Sequence, residues 1–281
     1  MEFLYSAFAD ESSSDFFAQI DALKRTGCQY LEIRGLTGGN FTTLTDAEAK
    51  DIRKALEDNG LKVWSLGSPI GKIPVDGDWE EHLEKYKRVL ELADLMDTKR
   101  IRLFSFFMPK GEDPVNYRNV VIDRMGVFAE LAKKAGVIAC HENEKGIYGD
   151  IAERNADVLH VFPELGFAFD PANFIQCGVN TLEAYELLHE RITYMHIKDA
   201  IMADGAVVSA GNGDGNVAEI LRRLNAERDG EIILTVEPHL TVFKGLNDLQ
   251  DEELKHHESY PDSRTAFHAA VSAIKGIIEK I

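Results

Sequence analysis

Four short apolar runs in the second half of the chain each stop on a residue able to bind a metal. They are Val-Ile-Ala-Cys-His-Glu142, Gly-Phe-Ala-Phe-Asp170, Ile-Thr-Tyr-Met-His196 and Ile-Ile-Leu-Thr-Val-Glu237, with the terminal residues 28, 26 and 41 positions apart. Two Glu, one Asp and one His offer carboxylate oxygens and an imidazole, a donor set that suits one divalent ion such as Mn²⁺, Mg²⁺, Co²⁺ or Zn²⁺. A metal chelating a hydroxy-ketone polarises the carbonyl and acidifies the adjacent C–H. With Glu142 and Glu237 on different sides of a substrate, one removes a proton and the other returns it, which is isomerisation or epimerisation. Taken singly, Glu142 or Asp170 has a plainer use as a helix cap and His196 as a satisfied core histidine. Four such residues at consecutive strand ends are harder to explain as caps together.

Other polar residues at strand ends are substrate-binding candidates: Arg34, Ser68, Lys72, Asn173, Lys198 and His239. Arg34 and Lys72 suit an anionic or polyhydroxy substrate, and His239 a hydrogen bond near Glu237; salt bridges at a barrel rim are the plainer alternative. Asp199 or Glu144 is a candidate to orient His196 or Lys198. Gly211-Asn212-Gly213-Asp214-Gly215, just before a helix, offers backbone N–H groups to an anion but reads more simply as a flexible turn. His256-His257-Glu258 is a weaker second-ion candidate, more ordinary as a solvated loop. Trp64, Phe106, Phe107 and Phe174 are candidates for an apolar wall, although core packing accounts for Trp64. Cys140 shares the facing of Glu142 by strand alternation and reads as a buried, inert thiol.

These residues need elements that bring strand ends to one place, and strand–helix alternation supplies them. The strands are expected at Phe3–Ala9, Gln29–Arg34, Leu61–Leu66, Arg100–Phe104, Val137–His141, Leu165–Phe169, Ile192–Ile197 and Glu231–Val236. The helices are expected at Ser13–Thr26, Thr45–Asn59, Trp79–Met96, Val115–Ala135, Asp150–Phe162, Thr181–Glu190, Val217–Arg228 and Ser263–Ile281. Thr45 with Glu48 makes a capping box, and Ile52, Leu56 and Leu61 show apolar spacing suited to a helix and the turn after it. Eight such units point to an α/β fold, a (β/α)₈ barrel over residues 1–281 as one domain, whose active sites lie at the carboxyl ends of the strands. A doubly wound sheet is the rival. It usually has a Gly-rich first turn, and Ala9-Asp10-Glu11-Ser12 is not one.

Composition narrows the partners. The chain has 281 residues, 44% of them hydrophobic, and a formal charge of −17, which disfavours a nucleic-acid backbone as partner. Cys28, Cys140 and Cys177 form no Cys-x-x-Cys pair, as in a reduced cytosolic protein. The opening Met-Glu-Phe-Leu-Tyr-Ser lacks a basic and then apolar leader, and no run approaches the length of a membrane span, so a cytoplasmic location with no membrane partner is expected.

At Cys-His-Glu142-Asn-Glu-Lys-Gly-Ile-Tyr-Gly, Phe-Asp170-Pro-Ala-Asn-Phe, His196-Ile-Lys-Asp199 and Val-Glu237-Pro-His, the chain resembles the sugar phosphate isomerase/epimerase group of the xylose isomerase-like barrels. The resemblance covers nearly the whole chain. It implies one divalent metal on Glu142, Asp170, His196 and Glu237, with Glu142 and Glu237 as the acid/base pair. It also implies a small sugar-like substrate, and a homo-oligomer as a family-level expectation. Ketohexose 3-epimerases of the group carry a Glu, a His and an Arg where this chain has Tyr148, Asn173 and Met202, so that activity is disfavoured. DNA-repair relatives need a three-metal cluster with further histidines, and the first four strand ends supply none. The expected activity is aldose–ketose isomerisation or epimerisation of a small polyhydroxy carbonyl compound. A metal-dependent dehydratase or lyase of a keto-sugar or inosose is the runner-up, and a non-catalytic sugar-binding barrel the alternative from another class.

Overall fold

The computed structural model describes residues 1–242 and 255–281. Its barrel strands are β1 (Glu2–Ala7), β2 (Tyr30–Ile33), β3 (Lys62–Gly67) and β4 (Arg100–Leu103), then β5 (Ile138–Glu142), β6 (Gly166–Phe169), β7 (Ile192–Ile197) and β8 (Glu231–Val236). Every neighbouring pair is parallel, and β1 closes on β8 with Glu2 opposite Glu231 through Ala7 opposite Val236. Closure excludes the doubly wound sheet and confirms the expected (β/α)₈ barrel.

The helices are α1 (Phe16–Thr26), α2 (Asp46–Asp58), α3 (Trp79–Leu95), α4 (Arg118–Ala135), α5 (Ala152–Val161), α6 (Pro171–Gln176), α7 (Thr181–Leu188), α8 (Val217–Glu227) and α9 (Ser263–Ile278). Local chemistry sets their ends. The capping box of Thr45 and Glu48 opens α2, and Gly136 in the left-handed region (φ 67°) closes α4. Their apolar faces meet the outer faces of the strands in the main core, where Leu23, Leu56, Tyr86, Phe128, Leu224 and Phe267 are buried.

A second, smaller cluster comprises Cys140, Ala168, Tyr194 and Ile233, with Leu4, Tyr30 and Trp64 packed on it. Cys140, Ala168 and Tyr194 stand two residues before Glu142, Asp170 and His196, so alternation puts each on the same face as that later residue. This cluster fills the barrel below the strand ends and fixes what stands above it. Trp64 belongs to it, and burial pushes the Cys140 thiol up to about 12, so that thiol stays protonated and inert.

Three features differ from the sequence expectation. The chain leaves β1 at Ala7 and turns at Ala9–Glu11, placing Asp10 and Glu11 over the barrel mouth. Helix α6 begins directly on Asp170, with Pro171 at its first position; six residues are too few to show a helical period. Two small hairpins, at Gly35–Asn40 and at Asp199–Val208, decorate the carboxyl-end face.

Candidate metal centre

Glu142, Asp170, His196 and Glu237 each present one ligand atom to a common point, all within 4.8 Å of one another and all buried. The Nδ1 of His196 lies 2.9 Å from Glu142 Oε1 and 3.2 Å from Glu237 Oε2. Its Nε2 is 3.2 Å from Glu32 Oε2, and Glu32 Oε1 accepts the Tyr194 hydroxyl at 2.9 Å. The imidazole therefore turns Nδ1 to the cluster while a buried carboxylate takes Nε2–H, the arrangement that fixes ring and tautomer in metal-ligating histidines. Asp170 divides its oxygens: Oδ1 accepts Asn173 N–H at 2.9 Å as the cap of α6, and Oδ2 is left for the cluster. The cap uses one oxygen and so leaves the other available for a metal.

The cluster fits a divalent cation. Glu142 Oε2, Asp170 Oδ2 and Glu237 Oε2 are buried and accept no hydrogen bond. Among the described residues, charged groups approach them, with Arg102 at 3.3 Å from the first, Lys198 at 3.0 and 3.5 Å from the other two, and the His196 ring 3.2 Å from Glu237. Buried carboxylate oxygens left in this condition are costly unless a cation meets them. Burial pushes the Asp170 carboxyl up to about 7, with Glu237 and Glu142 adding to that rise and Lys198 opposing it. Burial would lower His196, but Glu142 and Glu32 draw it well above its usual range. Three carboxylates and an imidazole, O₃N, suit Zn²⁺, Mn²⁺, Co²⁺ or Mg²⁺. Among the described residues, Glu11, Glu237 and His239 form a second grouping. There the Arg34 guanidinium, at 3.0 Å from Glu11 and 2.8 Å from Glu237, already supplies the positive charge.

The other sequence candidates have varied fates. Lys198 is buried against Asp170 and Glu237, and Asn173 donates to Glu142 Oε1 at 3.3 Å and to the Asn143 carbonyl at 2.9 Å. Asn143 in turn exchanges two hydrogen bonds with Asp170, Nδ2 to the carbonyl at 2.8 Å and Oδ1 from N–H at 2.9 Å. Arg34 is tied to Asp10 at 2.9 Å besides Glu11 and Glu237, so it organises the wall beside Glu237. His239 has a positive φ of 46°, and its ring lies 3.4 Å from both Glu11 and Glu237. Burial, with Lys198 beside it, lowers that ring to about 4. Lys72 pairs with Glu144 at 2.8 Å. Ser68 is turned into the protein, where its hydroxyl donates to the Arg102 carbonyl.

Asp199 does not orient His196. Its carboxylate accepts Gly211, Gly213 and Gly215 N–H groups at 2.9, 3.1 and 2.8 Å, so the anion held by the glycine-rich loop is the chain's own. A Cβ on Gly213 would stand 2.3 Å from Asp199 Oδ1, which explains the glycine. Glu144 pairs with Lys72, and Glu32 is the residue that orients His196. His257 pairs with Asp204 at 2.7 Å and Glu258 accepts from Ser209, Asn212 and Tyr260; neither ligand grouping includes them. Phe106 packs on Trp79 and Phe128, and Phe174 on Phe169, away from the centre. Phe8 and Tyr194 both stand edge-on to His196, with centroids 5.2 and 5.3 Å away, and Arg34 lies over the Phe8 face at 4.2 Å. Tyr148 turns its hydroxyl to Asp157 at 2.8 Å, and Met202 is exposed.

Beside the centre is a narrow neck lined by Lys72, Arg102, Glu144, Asn173, Gln176, Lys198, Glu237 and His239. Beyond it lies a cleft of about 450 Å³ under the loops that follow β1, β2 and β3. Residues 20–260 match the family of xylose isomerase-like TIM barrels. The chain belongs to this family. No curated protein matches it. Among solved structures, an L-ribulose 3-epimerase superposes with a TM-score of 0.75 at 16% identity, over 99% of this chain and 94% of that one. An IOLI protein with a zinc atom gives 0.75 at 15% identity, over 100% and 99%. The probable 3-DHS dehydratase AsbF of petrobactin synthesis from Bacillus anthracis gives 0.72 at 14% identity, over 98% and 99%. At these identities the likeness is one of fold. Among the described residues, no helix is long and apolar enough to cross a membrane.

Proposed function

We propose that the protein is a divalent-metal-dependent isomerase or epimerase of a small polyhydroxy carbonyl compound. The observation that carries this is the convergence of Glu142, Asp170, His196 and Glu237, in which each carboxylate keeps one buried oxygen without a hydrogen bond. A divalent ion held by these four residues supplies polarisation of a carbonyl and acidity at the neighbouring carbon. The zinc in the IOLI structure and the sugar epimerase among the similar folds support this choice of chemistry.

The chain's own groups then divide the proton work. Burial alone would raise Glu237, but Lys198 and His239 hold it well below the usual carboxylate range, so it enters the reaction ionised. It is the proton acceptor in this proposal. Glu142, held through Oε1 by Asn173 and His196, is the partner acid: in its protonated form it delivers its own proton to the reacting carbon, while Glu237 keeps the proton it removed until solvent takes it. Lys198, in the neck beside Glu237, is placed to hold a substrate oxygen while charge develops there. Phe8 and the buried strand ends keep bulk water from the cluster.

The test is incubation of a ketose panel in D₂O with Mn²⁺ or Zn²⁺ present. Deuterium is expected on the carbon next to the carbonyl, with loss of that exchange in Glu237→Gln and Glu142→Gln. Metal bound at one equivalent without exchange on any member would refute the reading. A dehydratase begins with the same proton abstraction, and mass loss of water from the product separates it from an isomerase.

A further inference from the structure

We infer that Arg34 is the chain's own substitute for a second divalent ion, and that its guanidinium limits the centre to one. This rests on the metal-centre reading and adds what sets the number of ions held there. The first observation is a second set of ligand atoms. Glu11, Glu237 and His239, all buried, bring one ligand atom each within 4.8 Å of one another. Glu11 Oε1, Glu237 Oε1 and His239 Nε2 converge, with the imidazole nitrogen 3.4 Å from both oxygens. Two carboxylates and an imidazole repeat the donor chemistry of the first cluster.

The second observation is that Glu237 belongs to both sets through different oxygens. Its Oε2 lies 3.2 Å from His196 Nδ1 and 3.5 Å from Lys198 Nζ, whereas its Oε1 accepts from Arg34 Nη1 at 2.8 Å. Two-metal centres hold their ions roughly 3.5–4 Å apart, a span that one carboxylate bridges with its two oxygens. In this chain a guanidinium takes the second of the two positions.

The third observation is the seat that the fold builds for that guanidinium. Arg34 Nε and Nη2 donate to the two oxygens of Asp10 at 2.9 and 3.1 Å, and Nη2 also donates to Glu11 Oε1 at 3.0 Å. The group lies over the Phe8 ring, 4.2 Å from its centroid. Gly35 N–H donates to Asp10 Oδ2 at 3.1 Å, and a Cβ on Gly35 would stand 2.7 Å from that oxygen, so the glycine after Arg34 is what lets Asp10 close on the pair. Three buried carboxylates thus share the positive charge of one side chain. With that charge removed they would be left uncompensated in the interior, a cost that a cation relieves. A guanidinium, unlike an ion, is not lost to a chelator, so Glu237 Oε1 stays paired when the centre is stripped of metal.

Metal content after equilibrium dialysis against Mn²⁺, with electron paramagnetic resonance of the loaded protein, tests this without any substrate. The wild type should hold one Mn²⁺ per chain, and Arg34→Met two, with the spin-coupled signal of neighbouring ions. Arg34→Lys, which keeps a cation there, should hold one. Adding Glu11→Gln to Arg34→Met should remove the second ion and the coupling together. Should Arg34→Met fail to fold by circular dichroism, Arg34→Gln, uncharged but still able to donate to Asp10, takes its place. Two ions in the wild type or in Arg34→Lys, or a second ion that shows no coupling and survives Glu11→Gln, overturns the inference. One ion in every protein sinks this inference alone and leaves the metal centre and its reaction standing. No ion in any of them refutes the metal centre itself, and the inference with it. A second ion gained as expected, without exchange on any carbonyl compound, supports the inference and refutes the isomerase reading.

Discussion

Glu32 shows how much of the candidate metal centre lies one layer below the four residues that would hold the ion. Burial alone would raise it, but the His196 ring, Arg102 and the Tyr194 hydroxyl keep this carboxyl ionised below its usual range. Glu32→Gln should weaken metal binding by roughly 10–100-fold with the far-ultraviolet circular dichroism unchanged, measured by competition against a chromophoric chelator. An unaltered affinity would mean that His196 needs no such partner. The four ligands were legible in the sequence because each ends an apolar run, where a polar residue stands out. Glu32 and Arg102 were not. Each sits inside a short strand, in Tyr30-Leu31-Glu32-Ile33 and Arg100-Ile101-Arg102-Leu103, where a charge reads equally well as facing solvent. Only closure of the barrel decides that these side chains face its interior.

Among the elements, the segment between β3 and α3 is the most exacting. Gly71 has a φ of +86°, and a Cβ there would stand 1.9 Å from the Phe104 carbonyl oxygen. Gly60, with a φ of +72°, has nothing within 4 Å of such a Cβ. Gly60→Ala should thus cost about 1–2 kcal/mol in urea unfolding, the strain of left-handed backbone alone, and Gly71→Ala distinctly more. Gly71 N–H donates to His82 Nε2 at 2.7 Å, which requires the neutral ring. Burial, aided by Lys85 and Arg124, lowers His82 from 6.5 to about 4. The unfolded chain takes up this proton first on acidification, so the associated stability is complete above about pH 6.5 and drains away toward pH 4. His82→Gln, whose amide oxygen can still accept the Gly71 bond, should flatten the fall in melting temperature across that interval. An identical fall in both proteins would exclude His82 as its source. The strand–helix alternation made these elements visible in advance, but α6 and the two hairpins were too short to carry a period.

For the whole molecule, the interior of the barrel mouth is poised between charges. Glu32, Glu142, Asp170 and Glu237 face Arg34, Arg102, Lys198 and His196, and burial still pushes Asp170 up to about 7. An added divalent ion should therefore stabilise the fold as well as equip it. At a free concentration a hundred times its dissociation constant, the gain is about 2.7 kcal/mol, or roughly 5 °C in melting temperature for a chain of this size. Scanning calorimetry with Mn²⁺ and then with excess EDTA measures it, and Asp170→Asn should abolish most of the difference. A melting curve indifferent to both additions would remove the metal from the account.

The paired amide of Asn143 and backbone of Asp170 tie β5 to β6 just where two of the ligands emerge. Their spacing is consequently a property of the folded chain before any ion arrives. Under the proposed function, an arriving ion would meet those two arms already ordered by folding. It also means that competing ions are judged against a gauge already set, which makes discrimination among them a matter of radius and preferred geometry.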